Sequence, residues 1–192
     1  FREFLQSRLD REANQTLLLH RKIASYYYAH QFWEYAIRHY LRSGDYANVN
    51  QVLEEQGEGL IQDGRYESLE YWIQEIPEKI RLLYPYVHFL LGEINRYQSR
   101  FEVALDYYHA AERLYELAGN KWGCSLALRG QARIYLDTIR PANAAQPLKD
   151  ALSLLDPAES QEDMASLLIL MAENQLNLGD PQSAEGYLAR AR

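Results

Sequence analysis

The stretch from Tyr86 to Leu114, YVHFLLGEINRYQSRFEVALDYYHAAERL, decides the fold. It carries Leu91-Gly92, then Phe101, then Ala104, Tyr108 and Ala111. This spacing fits two amphipathic helices packed against each other, not a strand pattern. With Pro85 as place one, Gly92 falls at place eight, where a small residue lets the second helix come close. Ala104 falls near place 20, at the helix crossing, and Tyr108, four residues on, fills the gap beside it.

The rest of the chain reads as imperfect copies of this unit. Leu17 opens a copy with Ala24 at place eight, Tyr27 at place eleven, Ala36 at place 20, Tyr40 at place 24 and Ser43 at place 27. Asn50 opens the weakest one. Gly57 is its small residue, but Leu69 replaces the alanine at the crossing, which predicts a splayed pair. Ser125 and Ala165 open two more, with Ala132 and Ala172 at place eight and Ala144 and Ala184 at place 20. The steps are about 34 residues early and about 40 later, close to the tetratricopeptide period. The expected fold is therefore all-α: a tetratricopeptide-like α-solenoid of about eleven helices, with antiparallel pairs in a right-handed superhelix.

Punctuation agrees with this frame. Gly44, Gly64, Gly119 and Gly179 stand where helices should stop, and Asp45 can cap the helix that follows it. Pro77 should end one helix and Pro141 begin another. Pro147 predicts a kink or a late start in its helix. Ahead of the repeats, FREFLQSRLDR places Phe1, Phe4, Leu5 and Leu9 on one face of a short amphipathic helix. Residues 1–12 are thus expected to be the end of an upstream domain, and 13–192 a repeat domain of about five pairs. The chain starts at Phe1 and is expected to be a piece of a longer protein.

Composition bounds the function. Apolar residues make up 47% and charged residues 24%, so the chain folds. A net charge of −7 argues against a general nucleic-acid binder, and no direct nucleic-acid contact is expected. No apolar run approaches the roughly 20 residues that span a bilayer, so no membrane partner is expected. The single cysteine, Cys124, suits a reducing cytoplasm. The sixteen tyrosines supply large apolar bodies with one polar tip, useful at helix seams and at binding surfaces.

The early part also resembles a particular family. The features are Leu19-His20, the core Ala36, Ile37, His39 and Tyr40, the Gly44-Asp45 turn, and Gly64-Arg65 leading to Trp72 and Ile76-Pro77. This pattern is similar to the segment following the ATPase module in MalT-like regulators, large LuxR-type transcription activators of the signal-transducing STAND class. Phe1-Arg2-Glu3-Phe4-Leu5 is similar to the end of the winged-helix part that precedes that segment. The resemblance is strongest over residues 1–77 and generic beyond. It implies an arm and the start of a sensor that takes up an inducer or inhibitory protein. The signal would pass to ATPase and DNA-binding domains of the same longer chain. Neither GxxxxGK[ST] nor a helix-turn-helix occurs here, so nucleotide and DNA chemistry would belong to those other parts.

No catalytic constellation is visible, and no enzyme activity or cofactor is expected. The histidines His20, His30, His39, His88 and His109 lack the paired short spacing of a metal site. Cys124 reads as a small buried residue. In a tetratricopeptide solenoid the first helices line the concave face. That frame selects Arg21 and Tyr28 from the first repeat, Tyr86, Phe89, Arg96 and Tyr97 from the third, and Arg129 and Arg133 from the fourth. Aromatic and guanidinium groups together suit a peptide, protein or small-molecule inducer. Glu93, Asp137 and Glu173 share that face, so pairing of the arginines within the solenoid is the competing expectation. A free-standing tetratricopeptide scaffold for protein assembly is the alternative to the regulator.

Overall fold

The structure is a computed structural model that describes residues 2–156, 158 and 160–191, with the backbone alone for 2–7 and 9–11. Eleven helices and no strand occur among these residues. They are α1 (Arg2–Ala29), α2 (Trp33–Arg42), α3 (Tyr46–Gln62), α4 (Tyr66–Gln74), α5 (Glu78–Arg81), α6 (Pro85–Tyr97), α7 (Phe101–Leu117), α8 (Lys121–Asp137), α9 (Pro141–Leu154), α10 (Gln161–Asn177) and α11 (Pro181–Arg190). The chain divides into two compact units between Arg81 and Leu82.

The expected total of eleven is met by a different route. No break separates an N-terminal helix from the first repeat: α1 runs unbroken across residue 12. Between Arg11 and Thr16 the sequence offers no proline or glycine, so nothing stops the helix. The apolar face assigned to Phe1, Phe4, Leu5 and Leu9 lies outside the described side chains. The eleventh helix is instead α5, a single turn after Pro77.

Within the first unit α1 pairs with α2 and α3 with α4, and α2 packs on α3. The repeat frame predicts its core. Ala24, Ala36 and Leu69 are completely buried, as are Ile37, Val49, Val52, Leu53 and Ile73. The pair built on Leu69 packs over much less of its length than α6 and α7, which meet at Ala104. α4 has only nine residues against 17 in α7, which limits the contact, and a leucine at the crossing acts in the same direction where it separates the axes.

The second unit stacks three pairs, α6 with α7, α8 with α9 and α10 with α11. Leu128, Ala132, Leu136, Ala144, Leu148 and Ala151 from α8 and α9 join Leu167, Leu170 and Met171 of α10 in one apolar cluster. Pro147 sits inside α9, which nevertheless begins at Pro141, so the start is not late. Packing is close around Tyr108, whose fully buried ring lies against glycines of both flanking helices. A Cβ on Gly92 of α6 would stand 2.6 Å from the ring, and one on Gly130 of α8 would be closer still.

Caps and turns repeat along the chain. Asp45, Asn120 and Asp180 accept backbone N–H groups of Asn48, Gly123 and Ser183 at the starts of α3, α8 and α11. The turn after α8 departs from the glycine rule: Ile139 holds φ 56° and is 85% exposed. A β-branched residue in the left-handed region is strained, because its Cβ crowds the carbonyl. Ile139→Gly is therefore expected to raise stability by about 1 kcal/mol. Urea denaturation checks this, and an unchanged midpoint refutes it.

Candidate recognition surface

The first helices of successive pairs are tied together within each unit. In the first unit, Tyr28 on α1 donates its hydroxyl hydrogen to the Glu55 carboxylate on α3, 2.8 Å away, and accepts from Gln51 at 3.1 Å. The Glu55 hydrogen bond, followed by burial, raises the Tyr28 hydroxyl above its ordinary value. The Arg21 guanidinium reaches Asp45 at 3.5 Å. Both expected site residues of this unit thus hold α1 to the next pair.

In the second unit the ties form a connected network. The Tyr108 hydroxyl donates to Glu93 Oε1 at 2.5 Å. Arg96 donates through Nη2 to Glu93 Oε2 at 2.9 Å and through Nη1 to Asp137 Oδ2 at 3.1 Å. The pair is deep, with the Arg96 side chain 9% exposed and Glu93 13%. Burial opposes the Arg96 charge, but the Glu93 carboxylate outweighs it and holds the guanidinium above its ordinary value. Burial and the same carboxylate push the Tyr108 hydroxyl well up. One repeat further on, Asp163 of α10 accepts from Arg129 at 3.3 Å and from the Trp122 indole at 2.8 Å, both on α8.

The expected binding residues therefore separate into three groups. Tyr86 and Phe89 are 6% and 2% exposed, which corrects their assignment to an open face. Their rings lie 5.6 Å apart and Phe89 meets Tyr108 at 5.9 Å, so they are part of the packing. A helical position turns by about 100° per residue, and a large ring one step from the groove settles against apolar neighbours. Arg21, Tyr28, Arg96 and Arg129 are engaged in the ties described above. Tyr97 and Arg133 are exposed, and Arg96 lies 4.4 Å over the Tyr97 ring.

Asp163 and the hydroxyl of Tyr108 were missed as polar partners. Asp163 lies in the first turn of its helix, where an acid is unremarkable, and the spacing marks Tyr108 only as a filler of volume. Cys124 is buried, and burial raises its thiol above the ordinary value. Among the described residues no group of three or more His, Cys, Asp or Glu is placed to hold a metal, and no helix is long and apolar enough to cross a membrane.

His20 and His39 face each other across α1 and α2 with Nδ1 atoms 2.8 Å apart, so one ring must accept. Burial, then His20 and Arg42, lower His39 below its ordinary 6.5. The unfolded chain then binds the proton more readily than the folded one. The contribution of neutral His39 is complete above about pH 6.5 and is lost as the pH falls below it. Acidification from pH 7.5 to pH 5 should lower the urea midpoint of wild type more than that of His39→Gln; parallel profiles would remove His39 from the pH response.

No protein-family model and no curated protein matches the chain. Solved structures do. The crystal structure of MamA protein superposes with a TM-score of 0.66 at 15% identity, covering 92% of this chain and 90% of that one. The structure of BtubC (BKLC) from P. vanneervenii gives 0.62 at 15% identity, covering 96% and 89%. These are tetratricopeptide-like helical-repeat proteins, and the likeness places this chain in that fold class.

Proposed function

We propose that this chain is a non-enzymatic recognition module that binds a protein or peptide segment through its stacked helix pairs. The observation that carries the reading is the face formed by α6, α8 and α10. Ion pairs fix these helices to one another, while Tyr97, Arg133, Asp137 and Glu173 remain exposed along them. A surface held in register by its own salt bridges loses little freedom on binding, which favours affinity. Mixed charge with an aromatic suits a peptide better than a phosphate backbone.

The resemblance over residues 1–77 supports a finer reading. In it the module is the arm and sensor of a cytoplasmic MalT-like transcription regulator. It takes up a peptide, protein or small-molecule inducer and relays the signal to ATPase and DNA-binding domains of the same polypeptide. A gene product with a phosphate loop upstream and a helix-turn-helix downstream is expected; one lacking both overturns the regulator and leaves a free-standing scaffold. Binding itself is tested by selecting displayed peptides on the chain and measuring them against Arg133→Glu. Weaker binding to this variant is expected, and failure of any peptide to enrich overturns the module reading.

A further inference from the structure

The first unit carries a groove that the recognition face of the second does not use. It lies between α2 and α4 and has a volume of about 550 Å³. One wall presents Arg38, Leu41 and Arg42, which share a face of α2 at helical spacing. The other presents Glu67 and Tyr71 of α4 and, four residues further on, Glu75, which caps the C-terminus of that helix. Trp72, buried beneath them, contributes to the lining, and Tyr71 is 59% exposed.

The charges of this groove are not neutralised across it, in contrast to four arginines that are. Arg21, Arg65, Arg96 and Arg129 each reach a carboxylate. Arg38, Arg42, Glu67 and Glu75 are exposed, and none forms an ion pair with another described residue. Like charges four apart on a helix repel by about 0.2–0.5 kcal/mol, so the Arg38–Arg42 pair is a small liability as it stands. The two walls are of opposite sign, yet no ion pair joins Arg38 or Arg42 to Glu67 or Glu75. An occupant that satisfies both must carry acid towards α2, base towards α4, and an apolar strip between them for Leu41 and Tyr71.

We propose that this groove docks an amphipathic helix of a partner protein, with an apolar stripe flanked by acidic residues on one side and basic residues on the other. Helix-in-groove recognition uses residues at one-turn spacing, which is the spacing of both walls. The volume lies within the roughly 300–1,000 Å³ of ligand-sized clefts, enough for one row of side chains. The charged walls set the orientation, because a reversed helix would bring like charges together.

A displayed library of helix-forming peptides, selected on the full chain, tests this. Selected peptides should share the apolar stripe with opposite flanking charges. They should lose at least about tenfold in affinity on Arg38→Glu/Arg42→Glu and on Glu67→Lys/Glu75→Lys. Exchanging the acidic stripe for lysine should restore binding to the first variant. All four positions are exposed, so the fold should survive; Arg38→Gln/Arg42→Gln serves where a reversal disturbs it. Peptides that weaken on Arg133→Glu but bind both groove variants like wild type overturn the groove and leave the second-unit reading intact. A selection that enriches nothing overturns both.

Discussion

Gly130→Ala is expected to destabilise the second unit by about 2 kcal/mol, although alanine is the better helix former. In an exposed helix this change gains about 1 kcal/mol. Here the new Cβ would enter the Tyr108 ring, and the same ring already lies against Gly92 of α6. The ring cannot step aside, because it is fully buried and its hydroxyl is bonded to Glu93. Overpacking of this kind costs about 1–3 kcal/mol, at the upper end where nothing can yield. Gly92→Ala should act in the same direction. Shrinking the ring by Tyr108→Leu in the Gly130→Ala background should recover part of the loss beyond additivity. Urea denaturation of the three variants decides it, and a Gly130→Ala chain as stable as wild type contradicts this packing.

Glu93→Gln is expected to cost about 3 kcal/mol, although the change is isosteric. Glu93 joins the Tyr108 hydroxyl to Arg96, and both acid and base are nearly enclosed. Removing one partner of such a pair leaves an uncompensated charge, which costs about 3–5 kcal/mol when burial is complete. Asp137 retains a bond to Arg96 but is 40% exposed, so it compensates only in part. Replacing both members, Glu93→Leu with Arg96→Met, should cost less than the sum of the two single changes. The double-mutant cycle in denaturant measures the coupling; additive losses would mean the network is not a unit.

The helix crossings were legible in the sequence because close approach demands small residues. Ala24, Ala36, Gly92, Ala104, Ala132 and Ala144 are all buried as the frame required. Turns were legible where glycine marks them, as at Gly44 and Gly119, and less so at Ile139, which adopts the same conformation without the cue. The recognition residues were harder to read. Arg96 finds Asp137 41 residues later, and Arg129 finds Asp163 34 residues later, so each pair needs the stacking of the next repeat. The competing expectation, arginines paired within the array, describes both. Tyr86 and Phe89 failed for a local reason, since one position on a helix separates a groove from a packing face. The charged groove between α2 and α4 has no motif. It is assembled from α2 and α4, which are not neighbours in the sequence.

The central claim is that this chain recognises protein segments and does no nucleotide chemistry. Calorimetric titration of the purified chain, with magnesium ATP in one arm and a peptide selected on it in the other, tests that most directly. Saturable heat with the peptide, reduced in the Arg133→Glu or Arg38→Glu/Arg42→Glu variant, and none with the nucleotide is the predicted result. Saturable binding of the nucleotide, with no heat from any selected peptide, would contradict it.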